Sequence, residues 1–387
     1  MPNITVTPIA FHTAEVNAFI KFAWKIYKDD PNWVPPLMID MKKRLNPDKD
    51  PFFTIATMQL FMAYQNGTPV GRIAAIENRL AMQVHQNKTG FFGYFECINN
   101  QEVANALFDA AENWLRARGL NMVQGPANPS INHEYGLLID GFDDPPRLMM
   151  TYNPPYYINL IKNAQYQEAQ ELYAYKLDAA NVDDNPKLPR IAKAAAQRYN
   201  VSIRPINLKN LKQDLSIIKA IYNEAWEKNW GAVPMTNEEI DALANDLKPL
   251  VEPNLAVFAE IEGKPVGFIL AVPDYNYIFK QMNGSLFPFN FIKLYTQKKN
   301  IKWVRIIIMG VLPQYRRRGI DAVMYQHVIE TSRKMGILYG EASWILESNV
   351  MMNRAAQTVL NGTVYKKYMA YEKQLHINAN ATGVTPV

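Results

Sequence analysis

The stretch VLPQYRRRGIDA, Val311 to Ala322, is where residue types and spacing first suggest chemistry. It follows KWVRIIIMGVL, a nearly continuous apolar run that reads as a strand covered on both faces. It precedes a helical pattern in which Val323, Met324, His327, Val328, Thr331 and Met335 form one stripe. Such a turn presents the free backbone N–H groups of a helix N-terminus, and these favour an anion. Arg316, Arg317 and Arg318 add cationic donors suited to phosphates. Gly310 and Val311 at the strand end, with Gly319 and Ile320 in the turn, complete the candidate binding set. The same letters also fit a solvated basic turn. Asp321 is the discordant residue. A carboxylate about 4 Å from a phosphate would cost on the order of 4 kcal/mol at an effective dielectric near 20. Asp321 is therefore expected to point away from a bound phosphate, toward the helix N-terminus or an arginine.

The chain has 387 residues, which suggests two domains. Its hydrophobic content of 48% and charged content of 20% are those of a globular protein. A net charge of +5 is too mild to argue for nucleic acid and suits an anionic small ligand. Cys97 is the single cysteine and no metal-ligand spacing is evident, so no metal is expected and a reducing cytosol is the expected compartment. MPNITVTPIA lacks the basic start and apolar core of a signal peptide.

The order of elements repeats. TPVGRIAA returns as KPVGFILA, with Gly71 and Gly267 196 positions apart. LYAYKL returns loosely as YMAYEK, with Ala174 and Ala370 at the same offset. Each half reads as strand, helix, hairpin, strand, helix, strand, short helix, strand. The hairpin signal is strongest at Asn66-Gly67. Thr236 followed by Glu239 predicts a capping box. The expectation is α/β (α+β): two tandem domains, 1–177 and 201–376, each a mixed, mostly antiparallel sheet flanked by helices. Residues 178–200 are expected to connect them and 377–387 to form a tail. Only the second half carries the arginine turn.

Strand, Arg-x-x-Gly turn, helix, strand, Asn-bearing helix and strand together resemble the GNAT superfamily of acyl-CoA-dependent N-acyltransferases. The resemblance rests on Val311, Pro313, Arg316, Gly319, Ile320 and Asn353. It implies a splayed strand pair that admits the pantetheine arm of acyl-CoA, and turn N–H groups on its pyrophosphate. DPNWVPPL, GYFECINNQEVA, GPANPSINHEYGLLIDGF, NPPYY, NGSLFPF, RRRGIDA and SWILESN resemble a narrower tandem-domain bacterial family. Some of its members are ceramide synthases, which join a fatty acyl-CoA to a sphingoid amine. The implied reaction is acyl transfer from coenzyme A to a small-molecule or lipid amine, with the second domain as donor site and the first on the acceptor side.

That reaction needs an unprotonated amine, a polarised thioester carbonyl and a protonated leaving thiolate. Many GNAT members carry a tyrosine acid seven or eight residues after the asparagine; here those positions are Leu360 and Asn361. Glu347, at a strand end beside the expected cleft, is a candidate base or a solvated cap. His133 and Glu134 lie in a loop that is expected to face the acceptor across the domain seam, or to act as struts. Asn353 is a candidate for the coenzyme or a helix cap. Residues 274–300 interleave Phe and Ile with lysines, which fits an acyl tunnel, a peripheral membrane contact, or a lid joining the domains. Two other readings stay open: a catalytically inactive protein that binds CoA or a partner, and a Fem-type aminoacyl transferase.

Overall fold

The computed structural model describes residues 3–183 and 185–376; residues 1–2, Asp184 and the tail 377–387 lie outside the described residues. The first half contributes β1 (Ile4–Ile9), β2 (Ala56–Gln65), β3 (Thr68–Asn78), β4 (Thr89–Cys97), β5 (Met122–Gly125), the short β6 (Ala127–Asn128) and β7 (Glu134–Tyr135), β8 (Leu137–Asp140) and β9 (Gln167–Asp178). The second half contributes β10 (Val201–Pro205), β11 (Ala256–Ile261), β12 (Lys264–Pro273), β13 (Trp303–Val311), β14 (Tyr339–Leu346) and β15 (Thr363–Gln374).

All but β6 and β7 form one 13-stranded sheet, in the order β1-β2-β3-β4-β5-β15-β9-β14-β13-β12-β11-β10, with β8 also on β15. The last strands are exchanged: β15 pairs with β5 of the first half, and β9 pairs with β14 of the second. The segments 1–177 and 201–376 therefore do not each close a sheet of their own. β9 and β15 pair antiparallel, with Leu172 opposite Tyr368. Those two residues are themselves 196 positions apart, so the pseudo-twofold axis relating the halves passes between them.

The sheet is covered by amphipathic helices, as the periodicity requires. Helix Gln101–Arg116 is capped by Asn100, whose Oδ1 accepts from the N–H groups of Glu102 and Val103. It buries Val103, Leu107, Phe108 and Leu115 on the first half of the sheet. Helix Ile320–Lys334 covers the second half with Ile320, Met324, Tyr325 and Val328. Thr236 and Glu239 make the reciprocal capping box at the start of helix Asn237–Leu247. The connecting segment is helical, Ala179–Asp183 and Lys187–Tyr199.

A buried charge network stands where the halves meet. Arg305 Nε donates to Ser343 Oγ at 2.9 Å, and its Nη1 donates to the carbonyl of Leu148 at 2.6 Å. Glu341, fully buried, lies 3.5 Å from Arg305 and accepts from Ser343 and Tyr365. Arg147 lies 3.6 Å from Asp274 and over the Trp303 ring. Burial pushes the Asp274 carboxyl up to about 6, against the pull of Arg147.

Candidate active site

β13 and β14 are parallel and paired only from Trp303–Tyr339 to Ile306–Ala342. Beyond that point they part, and a cleft of about 1070 Å³ opens between them. Met309, Gly310 and Val311 line one wall, and Trp344, Ile345 and Leu346 the other. A continuous ladder would leave no room here. The divergence ends the ladder between the two strands, and backbone groups beyond it need other partners; the carbonyl of Met309 has one in Trp226 Nε1 at 3.3 Å.

The arginine turn closes one end of this cleft. After the 3₁₀ turn Pro313–Tyr315 the chain passes through Arg317 at φ 62 and Gly319 at φ 73 into helix Ile320–Lys334. Gly319 is constrained twice: its φ is left-handed, and a Cβ there would sit 2.9 Å from Ile191 of the connecting helix. The three arginines have different roles. Arg316 Nε donates to the carbonyl of Val311 at 3.2 Å and its Nη2 to that of Ala225 at 2.7 Å, so it braces the turn. Arg318 donates to Gln314 O at 3.1 Å and lies over the rings of Tyr315 and Tyr199. Arg317 lines the cleft, is exposed, and has no hydrogen-bond or ion-pair partner among the described residues.

Asp321 lines the cleft too. Burial pushes its carboxyl up, while its own N–H and that of Ala322 pull it down. Asp321 stands in the first turn of that helix, where the dipole favours a carboxylate.

Asn353 is not at the cleft surface. Its Nδ2 donates to the carbonyls of Leu346 (2.9 Å) and Glu347 (3.0 Å), and its Oδ1 accepts from Tyr175 at 3.0 Å. It ties helix Val350–Thr358 to the end of β14. The helix cap is instead Asn349. Glu347 is exposed and is not among the lining residues; Leu346 and Ser348, on either side, are.

The loop of His133 and Glu134 does reach the seam, but with other residues. Ile131 and Asn132 line the cleft. Asn132 Oδ1 accepts from Tyr222 of the second half at 3.0 Å, and its Nδ2 donates to Val233 O at 3.0 Å. His133 is turned inward, 2.9 Å from Ser130 Oγ and edge-on to Phe52. Burial, and then Arg44, hold its pKa down at about 3, so the ring is neutral near pH 7. Glu134 forms a 2.9 Å ion pair with Arg44 beside a separate cavity of about 240 Å³. That cavity also holds Glu96, which accepts from Tyr157 at 2.8 Å and lies 3.4 Å from Arg72.

Two polar atoms on the main cleft were not singled out by the sequence. Asn223 Oδ1 and Trp344 Nε1 are buried, and neither has a hydrogen-bond partner among the described residues. One is an acceptor without a donor, the other a donor without an acceptor. Trp344 sits in SWILESN, whose one titratable residue is Glu347. An indole N–H carries no such signal until its surroundings are known.

The first half has the matching strand divergence, but its own chain fills it. β4 and β5 pair only from Thr89–Met122 to Phe91–Gln124. Beyond that, β6 lies against β4 so closely that a Cβ on Gly93 would be 1.7 Å from Ala127 O. Asn128 Oδ1 accepts from the N–H of Tyr94 at 2.6 Å, using the strand edge that a ligand would need.

A mixed sheet whose fourth and fifth strands part over an Arg-x-x-Gly turn is GNAT acyltransferase architecture. The second half accordingly matches the model of the Acetyltransferase (GNAT) family over residues 215–355. As a whole the chain belongs to the tandem-domain GNAT acyltransferases and is an N-acyltransferase by family. It is 36% identical to the bacterial ceramide synthase of Caulobacter vibrioides (strain NA1000 / CB15N), over 96% of this chain and 98% of that one. It is equally 36% identical to Protein YghO of Escherichia coli (strain K12), over 93% of each. In fold it resembles a tandem GNAT protein from the clavulanic acid biosynthesis pathway, with a TM-score of 0.58 at 11% identity, covering 97% of this chain and 99% of that one. A GCN5-related N-acetyltransferase from Sphaerobacter thermophilus aligns at TM-score 0.51 and 13% identity, over 96% of both chains. No helix among the described residues is long and apolar enough to cross a membrane.

Proposed function

We propose that the protein transfers a long acyl chain from coenzyme A to the primary amine of a long-chain, sphingoid-type acceptor. The observation that carries this reading is the parted β13–β14 pair, closed by the arginine turn and lined by two unpartnered polar atoms. The turn N–H groups and Arg317 suit the pyrophosphate. The parted strand edges suit the amides of the pantetheine arm. Trp344 Nε1 donates to the thioester oxygen, where negative charge develops as the amine attacks. Asn223 Oδ1 accepts from the amine and orients it; an amide oxygen is not a base. The C–S bond is exchanged for a C–N bond, the amine loses a proton and the thiolate gains one.

Long chains are favoured by the walls. Trp226, Trp230, Trp344 and Met309 line the cleft. Tyr222 is shared with a small apolar slot of about 60 Å³, between Leu215, Ile240, Leu243 and Phe268. Each methylene that it shelters contributes about 0.8 kcal/mol.

The test is turnover of acetyl-CoA and palmitoyl-CoA with a sphingoid base, followed by mass spectrometry of the amide. Palmitoyl transfer is expected to dominate, and Trp344→Phe is expected to lower kcat about 100-fold with little change in KM. Absence of CoA binding would overturn the reading. CoA binding without turnover is the second reading, favoured by Leu360 and Asn361 at the usual tyrosine positions: Leu360 is buried in the core, and Asn361 donates to Asn181 O. For Asp321→Ala, a stability loss of about 0.5–1 kcal/mol with unchanged CoA affinity is expected. Much tighter binding in calorimetric titration would show that the carboxylate opposes the phosphates.

A further inference from the structure

We propose that residues 286–302 dock the protein on an anionic lipid bilayer surface. The segment between β12 and β13 has two parts that behave differently. Its first part, helix Asn276–Met282, packs inward. Ile278 and Met282 are buried in one core with Leu37 and Leu148 of the first half. Trp24 Nε1 donates to Asn283 Oδ1 at 2.9 Å, and Met38 N donates to Gly284 O at 2.9 Å. This part is the brace between halves.

The next part faces the other way. Leu286 and Leu294 still pack against the core, but Phe287 (60% exposed), Phe289 (74%), Phe291 (38%), Ile292 (46%) and Tyr295 (81%) do not. Phe287 and Phe291 lie together, ring centroids 6.0 Å apart. Five large apolar side chains within nine residues, held outward by two anchoring leucines, form a patch rather than scattered exposure. Aromatic side chains suit the boundary between headgroups and acyl chains.

The charges within the segment itself have one sign. Lys293, Lys298, Lys299 and Lys302 occur in 286–302 with no acidic residue. Lys298 is partly neutralised by Glu252 at 3.2 Å, whereas Lys293 and Lys302 donate only to neutral carbonyls. Lys299 is exposed. Each uncancelled lysine near an anionic membrane adds to the attraction. Apolar insertion and basic charge therefore point to the same occupant. The first half has only residues 79–88 at the corresponding place, with a short helix and no Phe, Tyr or Trp.

The experiment is co-sedimentation of the full chain with phosphatidylcholine vesicles, with and without phosphatidylglycerol and without any substrate. Binding is expected to the mixed vesicles, to weaken as salt is raised, and to fall about tenfold or more in Phe287→Ser/Phe289→Ser/Tyr295→Ser. That variant should keep the wild-type melting curve and CoA affinity, because none of the three residues lines the cleft. No binding to either vesicle would overturn the proposal, as would equal binding by the variant. Self-association in sedimentation velocity that the variant abolishes, without vesicle binding, would assign the patch to a second copy of the chain instead. Vesicle binding does not depend on turnover, so this test and that of the acyl transfer fail separately.

Discussion

Glu341→Ala is expected to destabilise the protein by about 3–5 kcal/mol, a large part of the roughly 5–15 kcal/mol that typically holds a domain folded. Glu341 is fully buried, and it is the carboxylate 3.5 Å from Arg305, itself 4% exposed. Removing it leaves a guanidinium in the interior with only neutral partners, Ser343 and the carbonyl of Leu148. Burial already pulls the Arg305 pKa down, with Glu341 the largest opposing influence. Because Leu148 belongs to the first half and Tyr365 to β15, the loss should be felt across the seam. Urea denaturation checks it. Arg305→Met combined with Glu341→Met should recover much of the loss, since a volume-matched apolar pair often replaces a buried ion pair without cost. Equal destabilisation by the single and double variants would show that packing, not charge, sets the effect.

The second large effect separates two adjacent arginines. Arg316→Ala is expected to weaken CoA binding at least about tenfold, by releasing the turn from Val311 O and Ala225 O. Arg317→Ala is expected to lose about 1.5–3 kcal/mol, the worth of a hydrogen bond to a charged group. The two differ in salt dependence. Arg317 acts through exposed charge, so its deficit should shrink as ionic strength rises. Arg316 acts through bracing, so its deficit should persist, and Arg316→Lys should not restore affinity because a lysine lacks the fork that spans two carbonyls. Titration calorimetry at two salt concentrations is the measurement. Parallel salt dependence would mean that both side chains touch phosphate.

What could be read from the sequence was what is local. The capping box at Thr236, the Asn66-Gly67 hairpin and the helix after the arginine turn each follow from short-range rules, and each is present. The arginine turn was recognisable because a strand, a glycine and an apolar stripe surround it. Its division of labour was not, since Arg316, Arg317 and Arg318 differ only in which carbonyls and rings lie within reach. His133 and Glu347 are candidates in the sequence because they titrate, yet the structure leaves both off the cleft surface. Asn223 and Trp344 matter because they lack partners, and an absence of partners is a property of the folded chain. The exchange of β9 and β15 was hidden for a related reason. LYAYKL and YMAYEK are similar enough that either could close either sheet; the register does not appear in the letters.

That exchange bears on how the molecule is made. β5 has β4 on one side and finds its second neighbour only in residues 371–374, so during synthesis the first half waits with an open sheet edge while some 240 further residues are added. Its geometry is that of two strand-swapped copies joined head to tail, a dimer turned into one chain. Severing the connection after β9 should yield fragments that fold poorly apart and well together. Of the described strands, the ribosome delivers a central one last.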